Sequence, residues 1–240
     1  MLDRYKPLWG TAPALKQSYD AVIIGGGLHG LATAYYLARH QGMQNIAVIE
    51  KNYIGFGGAG RNTAIVRANQ RTQENVPLYK EALDLWPVLT KELDYNLMFF
   101  NCGNLNLMHS EAAMNAARVN IASAQFQGVE SHLIDAKTCQ EMMPALNISE
   151  DITYPIFGAM FHPPGGIVRH DAVVWGLAKG AAKYGCHIHQ QTEVTGINVE
   201  NNKIVSVDTD QGRINTPRVL LSAGGYSAAI SYHMLGIKLP

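Results

Sequence analysis

The segment from Tyr19 to Lys51 constrains this chain more than any other, because its residue types follow the order strand, tight turn, helix, second strand. Val22, Ile23 and Ile24 form a short β-branched run, the composition of a strand buried on both faces. The run stops at Gly25-Gly26-Gly27-Leu28-His29-Gly30, a GxGxxG pattern that opens a helical stretch. Gly25 permits the tight turn, Gly27 lets a pyrophosphate lie against bare backbone, and Gly30 lets the helix pack close to the strand. His29 is expected to contribute backbone more than imidazole, since amides at a helix N-terminus face the phosphate. Glu50 lies 20 residues past Gly30, at the end of a strand expected over 46–50, where a carboxylate can accept both ribose hydroxyls. These residues predict a dinucleotide site and leave NAD and FAD both open.

The order of the remaining segments bears on that choice. Residues 1–18 carry Pro7 and Pro13 and read as an arm over a neighbouring surface or as disorder. After Glu50, the run 52–60 holds four glycines, as suits a chain passing beside a flat ligand, and 61–67 returns to strand composition. Apolar spacing predicts a helix over 72–93, kinked or split at Pro87. Strands are expected at 97–100 and 104–108, then a helix capped by Ser110, a short helix capped by Asp135, and a strand at 154–162 ending in a Pro163–Gly166 break. A helix opening at Arg169-His170-Asp171 and stopped by Gly185 precedes a three-stranded meander expected over 186–216. A buried strand over 218–222 then returns to the first sheet and ends in Ala223-Gly224-Gly225. A nicotinamide dehydrogenase would continue with alternating strands and helices instead. The expected fold class is α/β: a Rossmann-like domain of parallel sheet plus meander at 19–75 and 164–235, with an α+β insertion at 76–163.

Lys plus Arg and Asp plus Glu both number 19, so no charge excess points to nucleic acid or to an acidic membrane surface. Cys102, Cys139 and Cys186 are odd in number and far apart, which fits free thiols in a reducing compartment and no cysteine metal site. Without an apolar leader or a stretch of membrane-spanning length, the expected address is cytoplasmic. His187 and His189 alternate on one strand face, expected to be exposed, and have no third metal ligand at suitable spacing.

With these segments assembled, the chain resembles the D-amino-acid-oxidase-like family of FAD amine oxidases, and within it the β subunits of heterotetrameric sarcosine oxidases. The residues carrying the resemblance are YDAVIIGGGLHGLATAYYLA, GRNTAIVR, YPIFGAM, RHDAVVWG, QQTEVTGI and LLSAGGYS. It implies that Gly25, Gly26, Gly27, His29, Gly30, Glu50 and Lys51 hold the ADP half of a non-covalent FAD. Arg61, Asn62 and Thr63 would line the pyrophosphate and isoalloxazine approach, Val194 would touch adenine through its backbone, and Ala223 and Gly224 would close the site. Arg67 would pair with a substrate carboxylate, for which a guanidinium fork is suited, whereas residue type alone favours a surface or ion-paired arginine. His170 would carry an FMN covalently, with Arg169 facing that FMN, whereas residue type alone favours a capping or packing histidine.

The resemblance further implies oxidative demethylation of sarcosine to glycine and a one-carbon unit, with electrons passing from FAD to FMN and then to O2, giving H2O2. The partners implied are the alpha, gamma and delta subunits, with tetrahydrofolate bound by one of them. A single-flavin relative, glycine-oxidase-like or dimethylglycine-oxidising, and a non-catalytic dinucleotide-binding module are the alternatives. The family pattern continues beyond Pro240, so the expectation is a chain truncated at its C-terminus and inactive alone.

Overall fold

The computed structural model describes residues 6–69 and 72–239; residues 1–5 of the expected arm lie outside the described residues. Along the chain run β1 (Ala21–Ile24), α1 (Leu28–His40), β2 (Ile46–Ile49), β3 (Ile65–Val66), α2 (Val76–Glu92), β4 (Asn104–Met108), α3 (Glu111–Phe126), β5 (His132–Asp135) and α4 (Ala136–Met142). They are followed by β6 (Gly158–His162), β7 (Gly166–Ile167), α5 (His170–Lys183), β8 (His187–His189), β9 (Val194–Glu200), β10 (Lys203–Thr209), β11 (Gly212–Asn215), β12 (Val219–Leu221) and α6 (Ser227–Leu235). By compactness the chain divides into two units, Met1–Thr63 with Leu93–Leu97 and His170–Pro240, and Ala64–Glu92 with Met98–Arg169. Residues 64–75 and 164–169 thus fall in the second unit, where β3 pairs with β7.

The first unit is built on a parallel sheet of order β12-β1-β2-β8. All four residues of β1 and of β2 are buried, as their continuous apolar runs require. Val22 and Ile24 share a core with Ala47, Ile49 and the meander residues Val194, Ile197, Val207 and Ile214. Each fully buried Val or Ile side chain contributes about 1.5–3 kcal/mol. Ile23 meets α1, whose Leu31, Ala34, Tyr35 and Ala38 are buried at helical spacing. The meander is β9-β10-β11 alone. The expectation that it begins at 186 is corrected: His187–His189 pairs with β2 in parallel, because the chain leaves α5 through Gly185 at φ 85° and re-enters the sheet as a crossover strand. The end of the N-terminal arm adds a backbone bridge between Ser18 and Asn215.

In the second unit, β6 lies between β4 and β5 in an antiparallel sheet. Ala117 and Ile121 of α3 pack with Met160 of β6, and Ala124 packs with Val76 and Leu83 of α2. Ser110 Oγ accepts the Ala113 N–H and Asp135 accepts the Thr138 N–H, so both expected caps are made. Two expectations are corrected here. Of the two outcomes expected at Pro87, a kink or a split, the split does not occur: α2 is continuous over Val76–Glu92, held by its buried Val76, Leu83 and Leu89. Residues 97–100 form no strand, because Met98 has φ 52° and only Phe100 bridges to Ile167. β5 and β7 were not expected; the latter sits within the Pro-Gly break, whose composition masks a two-residue strand. Among the described residues, no helix is long and apolar enough to cross a membrane.

Candidate functional site

The glycine turn between β1 and α1 is shaped by contacts that exclude side chains. A Cβ on Gly30 would lie 2.1 Å from the Gly25 carbonyl oxygen, and a Cβ on Gly25, at φ 114°, would lie 2.4 Å from the Ser222 carbonyl oxygen. At Gly27 the nearest atom to such a Cβ is 3.9 Å away, so that backbone stands open. Gly27 is the N-cap of α1; no side chain caps the helix and no acid lies in its first turn, which leaves that end fit for an anion. The Ser222 N–H donates to the Ile24 carbonyl at 2.8 Å, which brings Ala223 beside the turn, while Gly224 follows at φ 58° in an exposed position.

Glu50 closes the turn from the other side. The Gly26 N–H donates to Glu50 Oε2 at 2.8 Å and the Asn52 N–H to Oε1 at 2.9 Å, so both oxygens are oriented and each keeps a lone pair for another donor. The Gly55 N–H donates to the Gly26 carbonyl at 2.9 Å, drawing the glycine loop against the turn. Gln190 was not singled out from the sequence, yet its Oε1 accepts the Ile54 N–H at 2.8 Å and anchors that loop; a glutamine between two short strands carries no local signal of such a role. Lys51 forms an exposed ion pair with Glu193 at 2.6 Å, and that hydrogen bond pushes its ammonium above the usual lysine range. The Val194 side chain is in the core, so only its edge-strand backbone is available to a ligand.

The other expected residues separate into two places. In the first unit, His170, Asp171, Val174 and Trp175 of α5 line a cavity of about 250 Å³ with Tyr53, Phe56, Gly60 and Arg61. The Arg61 guanidinium lies 4.5 Å from the Phe56 ring centroid, so this arginine belongs to the His170 cavity wall. Asn62 Nδ2 donates to the Ala59 and Gly58 carbonyls and holds the loop, and Thr63 is exposed. His170 Nδ1 is buried without a hydrogen-bond partner, an arrangement that costs about 1–3 kcal/mol unless something satisfies it. Arg169 is exposed and falls in the second unit.

Arg67 is half-buried in the second unit, just past β3. Its Nη1 donates to the Asn69 carbonyl at 3.1 Å and to Asn69 Oδ1 at 3.2 Å. The Ala68 N–H donates to His162 Nε2 at 3.2 Å, and burial is the first cause that holds this imidazole below the ordinary histidine range, helped by the nearby Arg67 charge. His187 and His189 are not on an exposed face: His189 is buried, and both rings hydrogen-bond the Tyr19 hydroxyl, at 2.9 and 3.0 Å. Among the described residues no cluster of three or more His, Cys, Asp or Glu could hold a metal ion.

A family model described as FAD dependent oxidoreductase (DAO) matches residues 20–240. The chain belongs to this family. The open Gly27 backbone, the uncapped α1 and the oriented Glu50 carboxylate fit the dinucleotide that this family depends on. The chain is 42% identical over 236 residues to sarcosine oxidase subunit beta of Rhizobium meliloti, covering 98% of this chain and 56% of that one. It is 40% identical over 233 residues to the same subunit of an Arthrobacter species, covering 97% and 57%. The chain thus spans a little over half the length of these curated relatives. Among solved structures, L-proline dehydrogenase from P. horikoshii superposes with a TM-score of 0.85 at 30% identity, covering 94% of this chain and 58% of that one. The α/β fold described above, with a parallel sheet and several antiparallel sheets, is that of this family.

Proposed function

We propose that this chain is the flavin-binding part of a sarcosine-oxidising enzyme that works with partner subunits. The observation that carries the reading is identity of 40–42% to sarcosine oxidase β subunits over 97–98% of the chain, a span that includes the glycine turn, the Arg67 segment and His170. The reaction is sarcosine plus O2 and water giving glycine, a one-carbon unit released as formaldehyde or passed to tetrahydrofolate on a partner, and H2O2. The alpha, gamma and delta subunits are the partners in this reading, and the cytoplasm its location.

Bound FAD supplies the two-electron acceptor for the N-methyl carbon, and a covalent FMN the place where oxygen is reduced. The chain's residues do the holding. Gly27 and His29, at the open N-terminus of α1, offer backbone to the pyrophosphate, Gly25 and Gly30 shape the turn that lets it approach, Gly26 orients Glu50 for the ribose hydroxyls, Val194 meets adenine through backbone, and Ala223 and Gly224 close over the site. Lys51 keeps Glu193 beside the Glu50 strand end. The Arg67 fork orients the amino-acid carboxylate, leaving the amine and methyl group to be aligned by the rest of the enzyme. The orphaned Nδ1 of His170 and the aromatic walls around it support an imidazole held for attachment to FMN, which Arg169 would face, while Arg61, Asn62 and Thr63 would line the approach to the FAD pyrophosphate and isoalloxazine.

The test is made on the assembled, flavin-loaded protein. Anaerobic sarcosine should bleach the flavin absorbance, and after acid precipitation part of the yellow colour should stay with the pellet and be lost in His170→Ala. Bleaching with all flavin in the supernatant would leave a single-flavin oxidase; no bleaching by sarcosine would overturn the substrate.

A further inference from the structure

His162 is 1% exposed on the central strand β6 and both of its ring nitrogens are committed. Nδ1 lies 2.6 Å from the Glu130 carbonyl oxygen, which can only accept, so Nδ1 carries the proton. Nε2 is therefore the acceptor, and it takes the Ala68 N–H at 3.2 Å. Ala68 sits between Arg67 and Asn69, and Arg67 Nη1 bonds back to both oxygens of Asn69. The three-residue segment that carries the guanidinium is thus held through its middle amide by one buried imidazole. At its other end the segment is fixed by the Val168 N–H to the Ala64 carbonyl, at 3.0 Å, with Ala64 in the left-handed region at φ 59°. An apolar side chain of similar volume would fill the space under β6 but leave the Ala68 N–H without its acceptor, and a buried donor so stranded seeks another conformation. A histidine with a set tautomer is more than packing needs here.

We propose that His162 is the positioning residue for Arg67: by accepting the Ala68 N–H it fixes the backbone from which the guanidinium reaches a substrate carboxylate. This rests on Arg67 as the carboxylate ligand. It adds a residue that touches no substrate and acts through one that does.

The experiment uses the flavin-loaded enzyme and two readouts, the dissociation constant of acetate from its perturbation of the flavin spectrum, and KM and kcat for sarcosine. Arg67→Ala should weaken acetate strongly. His162→Leu should weaken it about tenfold or more and raise KM more than it lowers kcat, with unchanged FAD content. His162→Gln, whose Oε1 can take the Ala68 N–H, should restore most of the loss. Combining His162→Leu with Arg67→Ala should add nothing to Arg67→Ala alone, since coupled residues fail additivity. If Arg67→Ala leaves acetate binding intact, the carboxylate reading of Arg67 falls and this inference with it. If Arg67→Ala weakens acetate while His162→Leu does not, or if the two losses simply add, Arg67 stands and the positioning role is overturned. Should His162→Leu fail to fold, His162→Gln against His162→Asn decides, because asparagine is too short to reach Ala68: acetate binding kept by the first and lost by the second supports the role, and equal binding overturns it.

Discussion

At Gly30, a single methyl group would meet backbone on one side and Ile23 on the other, at 2.1 and 3.3 Å. Backbone cannot swing aside as a side-chain tip can, so Gly30→Ala must push α1 off β1, at a cost of about 1–3 kcal/mol. Gly27→Ala meets nothing closer than 3.9 Å and should leave the fold intact while intruding where the pyrophosphate lies. The expected outcome is a pair: Gly30→Ala loses both thermal stability and bound flavin, whereas Gly27→Ala keeps its melting temperature and loses flavin. Flavin content per chain and a thermal melt decide it, and a Gly27→Ala protein with full flavin would contradict the anion-facing role. That Gly25 and Gly30 admit no side chain was legible in the sequence, because a turn between a strand and a helix is a local matter. The placement of Arg61 was not. Its residue type says nothing of which wall it lines, and only the fold of 51–60 carries it to the Phe56 ring and the His170 cavity.

Among the elements, α2 illustrates a local rule overridden by packing. Proline inside a helix removes one hydrogen bond and crowds the carbonyl four residues earlier, yet α2 runs unbroken past Pro87. The helix is kept because Val76, Leu83 and Leu89 are buried along it. Replacing Pro87 by alanine should therefore stabilise the protein by roughly 2 kcal/mol, the helix-interior penalty of about 3 less the roughly 1 that proline removes from the unfolded chain. Urea unfolding measures it, and an unchanged or lowered midpoint would show that the proline is accommodated without cost. Where elements end is set less locally than what type they are. Met98 at a positive φ ends an extended run that composition alone favours, and β7 hides within glycines and prolines that ordinarily mark a break.

For the whole molecule, Tyr19 and the two histidines of β8 join positions 168 and 170 residues apart. The hydroxyl has one proton, so it can donate to one ring while accepting from the other, and a doubly charged pair would leave that proton without an acceptor. Burial is the first cause that holds both imidazoles below the ordinary histidine range. The unfolded chain then takes up protons near pH 6.5 while the folded chain still resists, so this contribution to stability is full above about pH 6.5 and falls as pH drops below it. Unfolding midpoints at neutral and mildly acidic pH should show that loss, and it should shrink when His187 and His189 are both replaced by glutamine. An equal acid loss in that variant would assign the effect to other groups.

The sequence by itself determined the nucleotide unit, both helix caps and the order of segments that sets a flavoprotein apart from a nicotinamide dehydrogenase. Each is encoded within a few residues, by side-chain period, by a glycine that alone accepts a given φ, or by a short polar side chain before a helix. Tertiary structure alone decided that 187–189 is a fourth parallel strand, that Leu93–Leu97 belongs with the first unit, that Gln190 anchors the glycine loop and that His162 holds Ala68. Those depend on backbone partners and buried donors supplied from distant parts of the chain, and the pairing energy that selects them exists only once the pieces have come together.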